Sequence, residues 1–274
     1  MKARSYMPGT LFVVATPIGN LEDITVRALK ILRAVAVIAA EDTRRTAHLL
    51  ARHGITTPTT SLHEHNEAEK SRALISRLTR GDHVALVSDA GTPGVADPGA
   101  HFVRTAADAG IRVEPIPGPS AVMAAVSASG LSPDSFTFLG FPPTRSKARK
   151  KWFDRLRRCS DVAVFFEAPH RVISTLTELR EMVGDCYVSV GRELTKIHEE
   201  LVKGHISEVV ARIADPRGEF TIVAEIGPIT EMNRPSDEMA DGSRRQLMAA
   251  VAKSHGVTAN ELYQALEAVK KSGK

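Results

Sequence analysis

Between Leu11 and Ser129 the chain alternates short, mostly apolar runs with longer amphipathic stretches, and this rhythm restricts the fold more than any other feature. The runs Leu11–Ala15, Val35–Ala39, Val84–Ser88 and Val113–Ile116 have strand length and lack the polar alternation of a strand with one wet face. Both faces of each are therefore expected to be covered. Between them, Thr25–Ala34, Thr43–His53, Asn66–Arg80 and Pro98–Gly110 carry helical spacing, with Gly54, Gly81 and Gly110 where helices stop. This alternation predicts βαβ units around a parallel sheet, an α/β fold.

At 274 residues the chain is long enough for two modest domains of about 150 residues each. A small-residue helix, Ser120–Ser129, leads to a hinge-like stretch from Gly130 to Pro133. A second α/β half follows, with strands expected at Phe136–Leu139, Val162–Phe166, Tyr187–Val190 and Phe220–Ile226. Helices are expected there at Pro169–Val183 and Ile206–Ala214, and a hairpin arm at Ile197–Val202. The expected domains are thus residues 1–130 and 131–232, with a linker and a helix–turn–helix-like tail over 233–274. In that tail Ser243 and the Thr258/Glu261 capping box mark two helix starts.

Several classes drop out on composition. A 43% apolar content argues against dominant disorder, and no apolar run is long enough to span a bilayer. The first ten residues have no apolar core of a signal peptide. Two cysteines, Cys159 and Cys186, cannot build a disulfide framework, and no Cys/His/Asp spacing suggests a metal. A reducing cytoplasm is the expected setting. Net charge is +4, but from Thr144 to Arg158 eight basic residues face one acid, Asp154, so the remaining chain is net acidic. Basicity this local fits docking on a polyanion.

Chemistry is expected in the loops that follow the apolar runs, because ligands of α/β proteins bind at the carboxyl ends of strands. The first turn, Thr16-Pro17-Ile18-Gly19-Asn20, lacks the glycines of a dinucleotide fingerprint, and Pro17 offers no amide to a pyrophosphate. The loop Ser88-Asp89-Ala90-Gly91-Thr92-Pro93-Gly94-Val95-Ala96-Asp97-Pro98-Gly99 is poor in side-chain bulk and suits an adenosyl group lying on backbone. Ser120, after Pro117-Gly118-Pro119, reads as a helix cap or a ligand hydroxyl.

These motifs, with Ala40-Glu41-Asp42-Thr43-Arg44, Phe165-Phe166-Glu167-Ala168-Pro169-His170-Arg171 and Gly191-Arg192-Glu193-Leu194-Thr195-Lys196, resemble the tetrapyrrole-methylase-like family. The resemblance runs from Leu11 to Pro228, and is nearest to the branch that methylates the ribose 2′-oxygen of a decoding-centre cytidine in 16S rRNA. It implies two α/β domains with S-adenosylmethionine (SAM) in the cleft between them, a small helical C-terminal module and a homodimer. Ala168 stands where that branch leads us to expect serine.

Carried over residue by residue, the resemblance places Ile18 in the adenosyl pocket and Asp89, Gly91 and Val95 against the donor's methionine and ribose. Ser120 and Ala121 would meet its carboxylate or adenine edge, with Phe166 and Pro228 closing the far side. A ribose hydroxyl must lose its proton as it is methylated. Glu167, Glu41 and His170 are the expected proton acceptors, and the residues alone do not choose among them. Asp42, Arg44, Arg171, Arg192, Glu193 and Lys196 are expected to contact RNA within the cleft. Arg145, Lys147, Arg149, Lys150 and Lys151 would grip RNA phosphates, while Trp152 and Phe153 at helical spacing read as core anchors. The expected partner is 16S rRNA or the assembled small subunit. A tetrapyrrole-precursor methylase and a non-catalytic RNA-binding module stay open as alternatives.

Overall fold

The computed structural model describes residues 7–227, apart from 132, 160, 214 and 215. The expectations for the tail over 233–274 and for Pro228 lie outside the described residues. The first half runs β1 (Thr10–Val14), α1 (Val26–Ala34), β2 (Val37–Ala40), α2 (Thr43–Arg52), β3 (Thr59–Ser61), α3 (Glu67–Thr79), β4 (Val84–Val87), α4 (Ala100–Asp108), β5 (Arg112–Ile116) and α5 (Ala121–Ser129).

Its five strands are all parallel, in the order β3-β2-β4-β1-β5. Every residue of β2 and β4 is buried, as their unbroken apolar runs require. Alternate side chains serve opposite faces. Val14, Ile38, Ala40 and Val87 pack with Leu32 of α1 and Leu49 of α2. Leu11, Val37, Ala39 and Leu86 pack with Leu78 of α3 and Phe102 of α4. Thr25 caps α1, its hydroxyl accepting the Ala28 N–H at 3.1 Å. The polar edge strand β3 has no apolar signature, and the sequence pattern does not reveal it.

The second half runs β6 (Phe136–Phe138), α6 (Ser146–Leu156), β7 (Val162–Glu167), α7 (Val172–Val183), β8 (Tyr187–Arg192), β9 (Glu200–His205), α8 (Ile206–Arg212) and β10 (Phe220–Glu225). Its sheet has the order β6-β7-β10-β8-β9, and only β6 and β7 are parallel. The hairpin arm is β9, which begins three residues later than expected and leaves Ile197 in a loop, 94% exposed.

One face of this sheet packs on α6, α7 and α8 through residues such as Phe153, Leu176 and Val209. The other face takes α5: Val122 and Ala125 cluster with Val162, Val164, Leu194 and Val223. By sequence α5 precedes the expected boundary at 130, yet it packs on the second sheet. Its small apolar side chains let it lie close to the strands, and a helix with so little polar face belongs in an interior. In packing, α5 therefore belongs to the second half.

Candidate active site

The parallel sheet reverses strand order around β1 and β4, the place where a crevice opens at the carboxyl ends of the strands. The β1 turn and the β4 loop meet there. The Thr16 N–H donates to the Gly91 carbonyl at 2.9 Å, and the Gly91 N–H returns a bond to the Thr16 carbonyl at 3.0 Å. Gly91 has φ +77°, and a Cβ on it would stand 3.5 Å from Ile18 Cγ2. The bare backbone thus forms a shelf beside Ile18.

Asp89 is fixed from two sides. Its Oδ1 accepts the Asp42 N–H at 2.9 Å, and its Oδ2 lies 3.6 Å from Arg45 Nε. The Asp89 N–H donates to Glu41 Oε2 at 3.4 Å. The ends of β2 and β4 are in this way tied into one acidic edge. Asp42 caps α2 by accepting the Arg44 N–H, and its carboxylate also pairs with the Arg44 guanidinium at 2.7 Å. That pairing pulls the Asp42 pKa down to about 2.

Two chambers adjoin this edge. One, of about 680 Å³, is lined by Ile18, Asp89, Gly91, Val95, Ser120, Ala121 and Phe166, together with Glu41, Asp97 and Glu167. The other, of about 620 Å³, is more polar, and Asp42, Arg44, Arg45, His48 and Lys196 line it. Ile18, Arg45, Asp89, Ala90 and Glu219 border both. The first chamber brings together every expected donor-binding residue among the described residues. Its volume lies within the usual range for a drug-sized ligand, and its walls combine the Gly91 shelf, the Phe166 ring and the Asp89 carboxylate. These features fit an adenosyl sulfonium compound, which needs apolar walls, close backbone and few charges. Ser120 also caps α5, accepting the Met123 N–H at 3.4 Å.

The second half supplies the far wall. Phe166 meets Phe138 and Phe141 with ring centroids 5.0 and 5.3 Å apart. The β8–β9 loop reaches the first turn, where the Asn20 N–H donates to Thr195 Oγ1 at 3.0 Å. A Cβ on Gly19 would stand 2.8 Å from that hydroxyl and 3.0 Å from the Leu194 carbonyl oxygen. Gly19→Ala is therefore expected to push the loop off the turn and lower stability by about 1–2 kcal/mol, read as a lower urea midpoint.

Several expected roles need correction. Glu167 is 1% exposed, and its oxygens already serve the Ala168 N–H at 2.7 Å, the Thr175 hydroxyl at 2.6 Å and Arg171 at 2.6 Å. A carboxylate so engaged anchors β7 to α7 and is not a free proton acceptor. Arg171, which also donates to the Pro142 carbonyl at 3.1 Å, is held inside and does not reach for RNA. Arg149 is likewise committed, to Glu178 and to the Thr175 hydroxyl, each at 2.8 Å. His170 is exposed and borders neither chamber. Arg192 bonds the Arg217 carbonyl at 2.7 Å and Glu200 at 3.2 Å and lines a separate recess. Glu193 does not line the chambers but holds Lys196, which does, at 2.9 Å.

The basic segment forms α6. Trp152 is buried, its Nε1 donating to the Leu139 carbonyl at 2.9 Å, and Phe153 is buried beside it. Arg145, Lys147, Lys150 and Lys151 remain exposed, a cationic face outside both chambers. Sequence reasoning missed Asp97. Its only signal was an acid set in a loop of otherwise small or conformationally special residues.

The sequence profile of the family described as Tetrapyrrole (Corrin/Porphyrin) Methylases matches residues 10–210. The chain is 41% identical to Ribosomal RNA small subunit methyltransferase I of Escherichia coli O157:H7, over 93% of this chain and 94% of that one. It is also 41% identical to the protein of that name from Pseudomonas aeruginosa, over 97% and 99%. Among solved structures, diphthine synthase shares the fold with a TM-score of 0.63 at 18% identity, covering 79% of this chain and 90% of that one. Uroporphyrin-III-C-methyltransferase from Thermus thermophilus gives 0.55 at 20% identity, over 80% and 95%.

Proposed function

The chain belongs to the tetrapyrrole (corrin/porphyrin) methylase family, among the ribosomal RNA small subunit methyltransferases I, and from that membership we propose that it transfers a methyl group from SAM to the 2′-oxygen of a cytidine ribose in the decoding centre of 16S rRNA. The observation that carries this reading is the pair of chambers meeting at Asp89 and Arg45, one apolar and backbone-lined, the other rimmed by Arg44, Arg45, His48 and Lys196. A methyl donor and a polyanionic acceptor need these two environments side by side.

When bound, SAM supplies a methyl group already activated by its sulfonium. The chain's own task is then alignment and exclusion of water. Ile18, Gly91, Ser120, Ala121 and Phe166 would hold the adenosyl and methionine parts, with Asp89 fixing the polar end. Arg44 and Lys196 would meet phosphates near the acceptor ribose, and the exposed face of α6 would hold a more distant stretch of the strand. The base would be splayed out of its stack to bring the ribose in.

Val95, Met123, Phe136 and Phe141 line the donor chamber yet are exposed apolar side chains. Their exposure favours a homodimer in which a second copy of the chain would cover them. No helix among the described residues is long and apolar enough to cross a membrane, and an rRNA substrate would place the protein in the cytoplasm.

The direct test supplies labelled SAM with 30S subunits, naked 16S rRNA or a uroporphyrinogen-type acceptor, and maps ribose methylation on the RNA. Label on a cytidine 2′-oxygen of the decoding centre is the expected result. Label on the tetrapyrrole alone, or no SAM binding by calorimetry, would reject the reading. Reversing charge at Lys150 and Lys151 should weaken RNA binding and reduce the slope of log K against log salt by about 2, one for each phosphate no longer neutralised. SAM affinity should not change.

A further inference from the structure

Within the β4–α4 loop, Asp97 borders the donor chamber together with Glu41 and Asp89. The residue before it, Ala96, holds φ +64°, a left-handed conformation that costs a residue with a Cβ. Gly94 at φ +78° and Gly99 at φ +115° bracket the segment. The loop's far end is fixed by Glu67, whose Oε1 accepts the Gly99 N–H at 3.1 Å and the Phe102 N–H at 3.0 Å. A backbone bent at such cost and pinned at its end fits a loop that must deliver one side chain to the chamber.

We infer that Asp97 is the catalytic residue that accepts the 2′-hydroxyl proton during methyl transfer, a step that rests on the function proposed above. In this step an oxygen lone pair of the ribose forms the new C–O bond. The C–S bond breaks, its electron pair returns to sulfur, and neutral S-adenosylhomocysteine leaves. The hydroxyl proton passes to the Asp97 carboxylate.

Three of the other chamber carboxylates are paired with cations, and Glu41, which accepts a long bond from the Asp89 N–H at 3.4 Å, is the remaining rival. Glu167 is neutralised by Arg171, Glu219 pairs with Lys196 at 3.0 Å, and Asp89 holds Asp42 and Arg45. Among the described residues no ion pair engages Asp97, and the Ser88 hydroxyl lies near it. Burial, and then the charges of Glu41 and Asp89, push its pKa up to about 6, against the weaker opposing pull of that hydroxyl. A carboxylic acid of that strength is ionised at neutral pH yet far more basic than an ordinary aspartate, which suits a general base.

The test is single-turnover methyl transfer to 30S subunits across pH 5–9, with SAM affinity measured in parallel. The wild-type rate should rise as pH passes about 6 and then level off. Asp97→Asn should be at least about 100-fold slower and lose that rise, with SAM affinity within threefold of wild type. Because ionised Asp97 is held in an unfavourable environment, the Asn variant should also melt higher than wild type above pH 6. Asp97→Glu should recover part of the rate with a displaced rise, and it carries the test should the Asn variant not fold. An Asn variant within threefold of the wild-type rate, a Glu variant with an unmoved rise, or SAM affinity falling in step with rate would overturn the assignment. Absence of wild-type transfer to rRNA would instead overturn the function on which it rests.

Discussion

Asp89→Ala should weaken SAM binding by about 10- to 100-fold and leave RNA affinity close to wild type. The carboxylate does two jobs. On the function proposed above it would offer charge to the polar end of the donor, and it holds the Asp42 N–H at 2.9 Å while standing 3.6 Å from Arg45. Losing a hydrogen bond to a charged group costs about 1.5–3 kcal/mol, which is one to two powers of ten in affinity. The exposed cations of α6 lie outside the chamber, so any RNA contact they make should survive the substitution. Calorimetry with SAM and filter binding with a 16S fragment separate the two effects. Equal losses in both would mean that Asp89 shapes the whole cleft and does not serve the donor in particular.

Glu167→Ala should cost about 3–5 kcal/mol of stability, because it strands Arg171 in the interior. Arg171 retains only 19% exposure and Glu167 none at the side chain. The Thr175 hydroxyl would lose its acceptor, and Arg149, which leans on that hydroxyl, would lose order in turn. Urea unfolding gives the number directly. Methyl transfer per folded molecule should stay within a few-fold of wild type. A stable variant that had lost its rate would restore Glu167 as the proton acceptor.

The parallel first half was legible because its inner strands β2 and β4 are buried on both faces, and continuous apolar runs announce that burial, whereas β5, also expected to be covered, is an edge strand with Arg112 and Pro115 exposed. The glycine- and proline-rich loop was legible for a related reason: residues that small, after a buried strand, leave space for a ligand. The second sheet read less clearly. β8, β9 and β10 pair antiparallel through hairpins and a return strand, and local periodicity carries no record of which neighbour a strand will choose.

Site roles were hardest where one residue type serves two purposes. Glu167 and Arg171 beside a strand end resemble catalytic groups in one dimension, and only burial shows them spent on each other. Arg149 belongs by sequence to the cationic run, yet helical rotation turns it toward Glu178. Asp97 is the converse. Its small loop neighbours mark it only faintly, and its basicity arises from burial and from Glu41, distant in sequence and close in space.

The last strand among the described residues, Phe220–Glu225, lies between Val162–Glu167 and Tyr187–Arg192 and hydrogen-bonds to both. During synthesis the amino-terminal sheet can close as soon as residue 116 has left the ribosome. The carboxy-terminal sheet must wait with its middle open, exposing two facing backbone edges, until about a hundred further residues have been made. A nascent chain stalled before Phe220 would therefore carry one finished lobe and one sticky, half-built one, a natural client for a holding chaperone.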